Sequence, residues 1–206
     1  YLASLDFLNS NVIAAHSVLL SDEEVDLYAK HQVGVAHCPS PNFSSLGMAK
    51  LVQMKKLGIK IGIGTDGANR GSLDLFEAMK LSGIAQFLHY GTPYLDSNVI
   101  SPFELVTMAT LGGARVCGLD EEIGSLETGK RADLLILNQG LNSLPIDDPY
   151  FAIVNSLRGS DVNDVIINGQ IVMRNSKILN VDENEIAREV SVRAPQLRQT
   201  ILDNIN

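Results

Sequence analysis

Three short apolar runs, each ended by a polar residue and followed by a helix-forming stretch, constrain this chain more than any other feature. Asn11-Val12-Ile13-Ala14-Ala15 leads into His16, Val33-Gly34-Val35-Ala36 into His37, and Ile59-Lys60-Ile61-Gly62-Ile63 into Gly64-Thr65-Asp66-Gly67. Runs this short and this apolar read as strands covered on both faces. Helix signals stand between and after them. Ser21 with Glu24 three residues on makes a capping box, Gly47 to Leu57 reads as a helix stopped by Gly58, and another spans Ser72 to Leu88. Ser101-Pro102 opens a further helix, with proline at its first position, that runs toward Val116. Strand and helix in alternation predict an α/β chain of parallel units with right-handed crossovers, either a (β/α) barrel or a doubly wound sheet.

The texture changes at Ile123. Ala132 to Leu137 reads as a strand, and Asn168-Gly169 suits a two-residue hairpin turn between Asp164–Ile167 and Gln170–Met173. Asp182 caps a helical tail in which Pro195 is expected to cause a break or kink. The expected organisation is a β/α part over residues 1–122, a β-rich module over 123–180 and a C-terminal helix over 181–206.

Charge narrows the partners. Sixteen Lys+Arg against 24 Asp+Glu give a net charge of −8 with no basic cluster, which argues against nucleic acid and anionic membrane. No apolar run approaches the roughly 20 residues of a membrane-spanning helix. Cys38 and Cys117 are the only cysteines and form no CxxC, so a disulfide framework is not expected. The chain reads as a soluble protein of a reducing compartment, the cytoplasm. It opens on Tyr1 without Met, and the expectation is a start within a domain.

In parallel β/α folds, ligands and catalytic groups gather at the carboxyl ends of the strands, where His16, His37 and Asp66 fall. Small residues on both sides of Asp66 let a metal or a substrate approach closely. A plainer reading keeps each histidine as a hydrogen-bonded structural residue and Gly64 to Gly67 as a turn with an Asx hydrogen bond.

Four blocks carry a resemblance: Ala14-Ala15-His16-Ser17-Val18-Leu19-Leu20, Val35-Ala36-His37-Cys38-Pro39-Ser40-Pro41-Asn42, Gly62-Ile63-Gly64-Thr65-Asp66-Gly67-Ala68, and Ile123-Gly124-Ser125-Leu126-Glu127-Thr128-Gly129-Lys130-Arg131-Ala132-Asp133-Leu134. In order and spacing the sequence resembles the amidohydrolase superfamily, in the aminohydrolase and chlorohydrolase branch with guanine deaminase, S-adenosylhomocysteine/5′-methylthioadenosine deaminase and triazine hydrolase relatives. The resemblance implies strands 6 to 8 of a (β/α)₈ TIM barrel followed by part of a composite β-sandwich. It implies a metal-dependent hydrolase of non-peptide C–N bonds that deaminates an amino-substituted nitrogen heterocycle. Asp66 is then the ligand of one divalent metal, zinc with iron or manganese as alternatives, and the proton carrier. His16 is catalytic beside the hydrolytic water. His37, Ser40 and Asn42 line the substrate pocket. Arg70 lies in a stretch that departs from the family: near the pocket mouth it would pair with an anionic group of the substrate, or else it is a solvated side chain. A homo-oligomer is also implied.

Other features take structural readings. Gly129-Lys130-Arg131 lacks the GxxxxGK[ST] arrangement of a phosphate loop and reads as the passage into the sandwich; Leu73, Asp74, Phe76, Glu77 and Met79 read as helix packing. The chain departs from the family at Pro41 and at Asn69-Arg70-Gly71-Ser72, and it holds no HxH pair and no histidine before His16. A site of three or more protein ligands therefore needs the N-terminal part of the same protein, and the chain alone should be inactive, with open strand edges that invite aggregation. Two alternatives stay open: a non-catalytic barrel remnant with a binding or structural role, and chlorohydrolase chemistry in the same site.

Overall fold

A computed structural model describes residues 1–68, 71–96 and 99–205. The three apolar runs form strands β1 (Ile13–Ala15), β2 (Gly34–His37) and β3 (Ile61–Ile63), paired in that order and parallel throughout. Ala15 lies opposite Ala36 and His37 opposite Ile63, so all three strands end at one level. The ladder runs on past them: the His16 N–H donates to the Ala36 carbonyl at 2.9 Å and the Gly64 N–H to the His37 carbonyl at 2.8 Å. These bonds hold the residues after β1 and β3 at the same rim.

Helix α1 (Asp22–Lys30) begins with the expected capping box, Ser21 and Glu24 satisfying each other's backbone N–H groups. After β2 the chain winds at once through α2 (Pro39–Pro41) and a π-helical turn over Asn42–Leu46. The expected helix from Gly47 starts late: α3 spans Leu51–Lys56, because the π-helical turn ends at Gly47 with φ 117°, a backbone no helix continues through, and residues 47–50 form no regular element. Helix α4 (Leu75–Gln86) is capped by the Asp74 side chain. Within it Phe76 and Met79 are buried, whereas Leu73, ahead of it, is 67% exposed. A second capping box, Ser101 with Glu104, starts α5 (Pro102–Thr107), which passes through a π turn into α6 (Gly113–Cys117). Here the helix lies almost on the β3 backbone. A Cβ added to Gly112 would stand 2.5 Å from the Ile61 carbonyl oxygen, and one on Gly62 2.9 Å from the Gly113 Cα, so close approach requires glycine.

The second sheet is antiparallel, in the order β4 (Leu134–Leu137), β5 (Val162–Ile167), β6 (Gln170–Arg174) and β7 (Lys177–Ile178). Asn168 and Gly169 both have positive φ, 50° and 77°, as a type I′ hairpin requires. Helix α7 (Pro149–Asn155) precedes β5 and packs on α4 and α5. One apolar cluster runs from Val35, Leu51, Met54 and Ile61 through Phe76 and Leu105 to Val154, Leu157 and Val162, linking both sheets. Lys130 ties the connection between them, donating to the Asp120 carbonyl and the Ser125 hydroxyl. Helix α8 (Glu183–Ile205) buries no residue. Pro195 lies inside it without breaking it; the lost N–H frees a carbonyl on a fully exposed helix, where water can satisfy it. Among the described residues no helix is long and apolar enough to cross a membrane.

Candidate active site

The rim formed by the ends of β1, β2 and β3 brings His16, His37, Asn42 and Asp66 together. His16 Nε2 stands 3.9 Å from an Asp66 carboxylate oxygen, too far for a direct hydrogen bond. His16 Nδ1 lies 2.8 Å from Asn42 Oδ1, while the Asn42 amide nitrogen lies 3.5 Å from the His16 carbonyl oxygen and 3.4 Å from His37 Nδ1. One asparagine thus spans two histidines from two strands.

Burial divides the set. The His16 and Asp66 side chains are partly open to solvent, at 32% and 40%, whereas His37 and Asn42 are wholly buried. Burial pushes the His37 imidazole down to about 4 from its usual 6.5, with the nearby His16 charge adding to the effect. His37 is therefore neutral at pH 7. Its Nε2 is buried and meets no hydrogen-bond partner among the described residues.

The backbone at the rim is unusual. His16, Ser17 and Asp66 have φ of 64°, 52° and 60°, a left-handed conformation that costs non-glycine residues roughly 1–3 kcal/mol each. Such strain concentrates where surrounding structure enforces it, and here the ladder bonds that flank His16 and Gly64 do so. Ser40 lies half-buried under Gly71, whose Cβ would approach the Ser40 hydroxyl to 2.3 Å. Arg70, with Asn69, lies outside the described residues.

Sequence reasoning passed over Cys38. Its thiol is pushed up by burial first and by the Asp66 charge second, and a Cβ on Gly64 would lie 3.6 Å from its sulfur. Its place directly after His37 was the available signal. Both cysteines are free thiols.

The fit to a metal is partial. Asp66 offers a half-open carboxylate, a good oxygen donor, but among the described residues no group of three or more His, Cys, Asp or Glu side chains converges on one point. This donor set suits a metal only as one contribution to a shell completed by other residues.

The family model for amidohydrolases matches residues 1–172. A 5-methylthioadenosine/S-adenosylhomocysteine deaminase of Thermodesulfovibrio yellowstonii is 37% identical over 97% of this chain and 45% of its own length. A 5′-deoxyadenosine deaminase of Methanobrevibacter smithii is 34% identical over 97% of this chain and 46% of its own. Among solved structures, an adenosine deaminase from Xanthomonas campestris with bound zinc superposes with a TM-score of 0.90 at 27% identity, covering 96% of this chain and 45% of that one. An atrazine chlorohydrolase from Arthrobacter aurescens complexed with zinc gives 0.82 at 26% identity, covering 93% and 42%. The chain thus spans less than half the length of the curated relatives it matches.

Proposed function

The chain belongs to the amidohydrolase family, its parallel units being part of a TIM-barrel metal hydrolase, and on that premise we propose that the whole protein is a zinc-dependent deaminase of adenosine derivatives altered at the 5′ position. The observation that carries the reading is the pairing of an open carboxylate, Asp66, with the His16 imidazole 3.9 Å away at the ends of parallel strands. The names of the sequence relatives supply the substrate class, and the zinc-bound structural relatives supply the metal.

Asp66 would hold the metal together with donors from outside these 206 residues. A bound divalent metal supplies a water whose pKa falls toward neutrality. Asp66 takes a proton from the attacking water and delivers it to the departing amino nitrogen, so that the ring carbon gains oxygen and ammonia leaves. His16, on the other side of the gap, steadies the charge that develops during attack. Ser40 is proposed to meet the substrate at the rim and Arg70 to pair with an anionic group of it, while His37 and Asn42, wholly buried, support the pocket from beneath. Two free thiols suit a reducing compartment such as the cytoplasm, and the exposed apolar residues of α8 suit a homo-oligomer.

The experiment is ammonia release by the full-length, zinc-loaded protein from 5′-methylthioadenosine, S-adenosylhomocysteine, 5′-deoxyadenosine and adenosine, with chloride release from a chlorinated triazine as the competing arm. Turnover of the nucleosides with no chloride release is expected. Preference for the triazine would move the protein to chlorohydrolase chemistry, and inertness toward all of them would favour a binding role.

A further inference from the structure

We propose that Asn42 is a positioning residue that sets the tautomers of both His16 and His37, leaving Nε2 as the His16 nitrogen turned toward Asp66. The inference rests on the deaminase reading only for the consequence in turnover; the tautomers themselves follow from the hydrogen bonds.

The argument starts from the Asn42 amide. Its Nδ2 is 3.5 Å from the His16 carbonyl oxygen, and a carbonyl oxygen accepts and never donates. The NH₂ group therefore lies on that side and Oδ1 on the other. Oδ1 is 2.8 Å from His16 Nδ1, and an amide oxygen also only accepts, so Nδ1 must carry a proton. With Nδ1–H committed to Asn42, the nitrogen that His16 presents toward Asp66, at 3.9 Å, is Nε2. The second N–H of the same amide lies 3.4 Å from His37 Nδ1, which makes that nitrogen the acceptor and puts the His37 proton on Nε2.

The support is rigid enough for the task. Asn42 is wholly buried, its backbone N–H donates to the Cys38 carbonyl at 3.2 Å, and its carbonyl accepts from the Gly47 N–H at 2.7 Å. It thereby anchors the π-helical turn and reaches across to the end of β1. His16 stands in a left-handed backbone conformation, and a side chain on such a turn needs a partner to hold its ring in one orientation. A wholly buried Asn42 acts through His16 rather than on the substrate.

The test uses the full-length zinc-loaded protein labelled with ¹⁵N-histidine. Imidazole spectra at neutral pH should show Nδ1 of His16 protonated and Nε2 of His37 protonated. Asn42→Leu, close in volume and without polar atoms, should erase the His16 pattern and lower kcat by about 100-fold, the scale of a misplaced catalytic group, with KM changed by no more than about threefold. Asn42→Asp keeps an acceptor for Nδ1–H and should restore the His16 pattern and most of kcat. A wild-type spectrum with His16 protonated at Nε2 and bare at Nδ1 overturns the proposal without any variant. So does a folded Asn42→Leu protein that keeps kcat within about threefold. The spectra need no substrate, so a protein that releases no ammonia would defeat the deaminase reading while the spectrum still judges Asn42.

Discussion

β3 and β4 are both aliphatic runs, Ile61-Gly62-Ile63 and Leu134-Leu135-Ile136-Leu137, yet they end in opposite surroundings. Every residue of β3 is buried, whereas Leu135 and Ile136 are 52% and 46% exposed. The difference lies in what covers them. β3 sits beside β2 and under α6, which the glycines at 62 and 112 allow to lie on its backbone. β4 pairs with β5 and keeps much of its surface open, and α8 beyond it leaves Ile186, Val190, Leu197 and Ile201 all more than half exposed. An aliphatic run thus tells that a strand can be covered, not that its cover lies in the same 206 residues. Of the rim residues, His37 and Asn42 belong to the covered region, where packing fixes side chains to a fraction of an ångström, whereas His16 and Asp66 stand partly open at its edge.

The sharpest way to break this contrast is to hollow each region in turn. In the full-length protein, Leu105→Ala, at a site 2% exposed, should cost about 2–5 kcal/mol in chemical denaturation. Leu135→Ala should cost no more than about 1 kcal/mol. Equal costs would show that β4 is covered by residues beyond these 206.

A second effect belongs to the covered rim alone. Burial, and after it the His16 charge, holds the His37 pKa at about 4 against 6.5 in an unfolded chain. Between those values the unfolded state takes up a proton that the folded state refuses. The contribution is therefore intact above pH 6.5 and is lost as pH falls toward 4, to the order of 3 kcal/mol in the limit. His37→Gln should flatten the pH dependence of stability in that window, and an unchanged slope would contradict the burial.

The smallest effect tests the seam. Asp74 accepts from the Phe76 N–H at the start of α4 and from the Gly159 N–H, at 2.9 Å, ahead of β5. Asp74→Ala should lower stability by about 1–2 kcal/mol, read as a fall in Tm. No change would show that the two regions are not joined through this carboxylate.

How much of this was legible beforehand depends on the range of each interaction. The three parallel strands, the Ser21–Glu24 capping box, the helix start at Ser101-Pro102 and the Asn168-Gly169 turn were readable because period, caps and turn chemistry act within a few residues. The late start of α3, the exposure of Leu73 and the unbroken helix through Pro195 were not, since neighbours in space decided them. The rim shows the same division. His16, His37 and Asp66 were placed by their positions after strands, whereas the Asn42 bridge joins residues 26 apart. No local pattern announces it, and it accompanies a left-handed backbone at His16, a conformation uncommon for non-glycine residues.

The pairing of His16 with Asp66 as the working centre is tested most directly by measuring zinc content and ammonia release together in full-length wild type and Asp66→Ala. The account predicts that the variant stays folded, retains less zinc and loses turnover by at least about 100-fold, as removal of a proton carrier would produce. Wild-type zinc content with turnover intact in Asp66→Ala would contradict it.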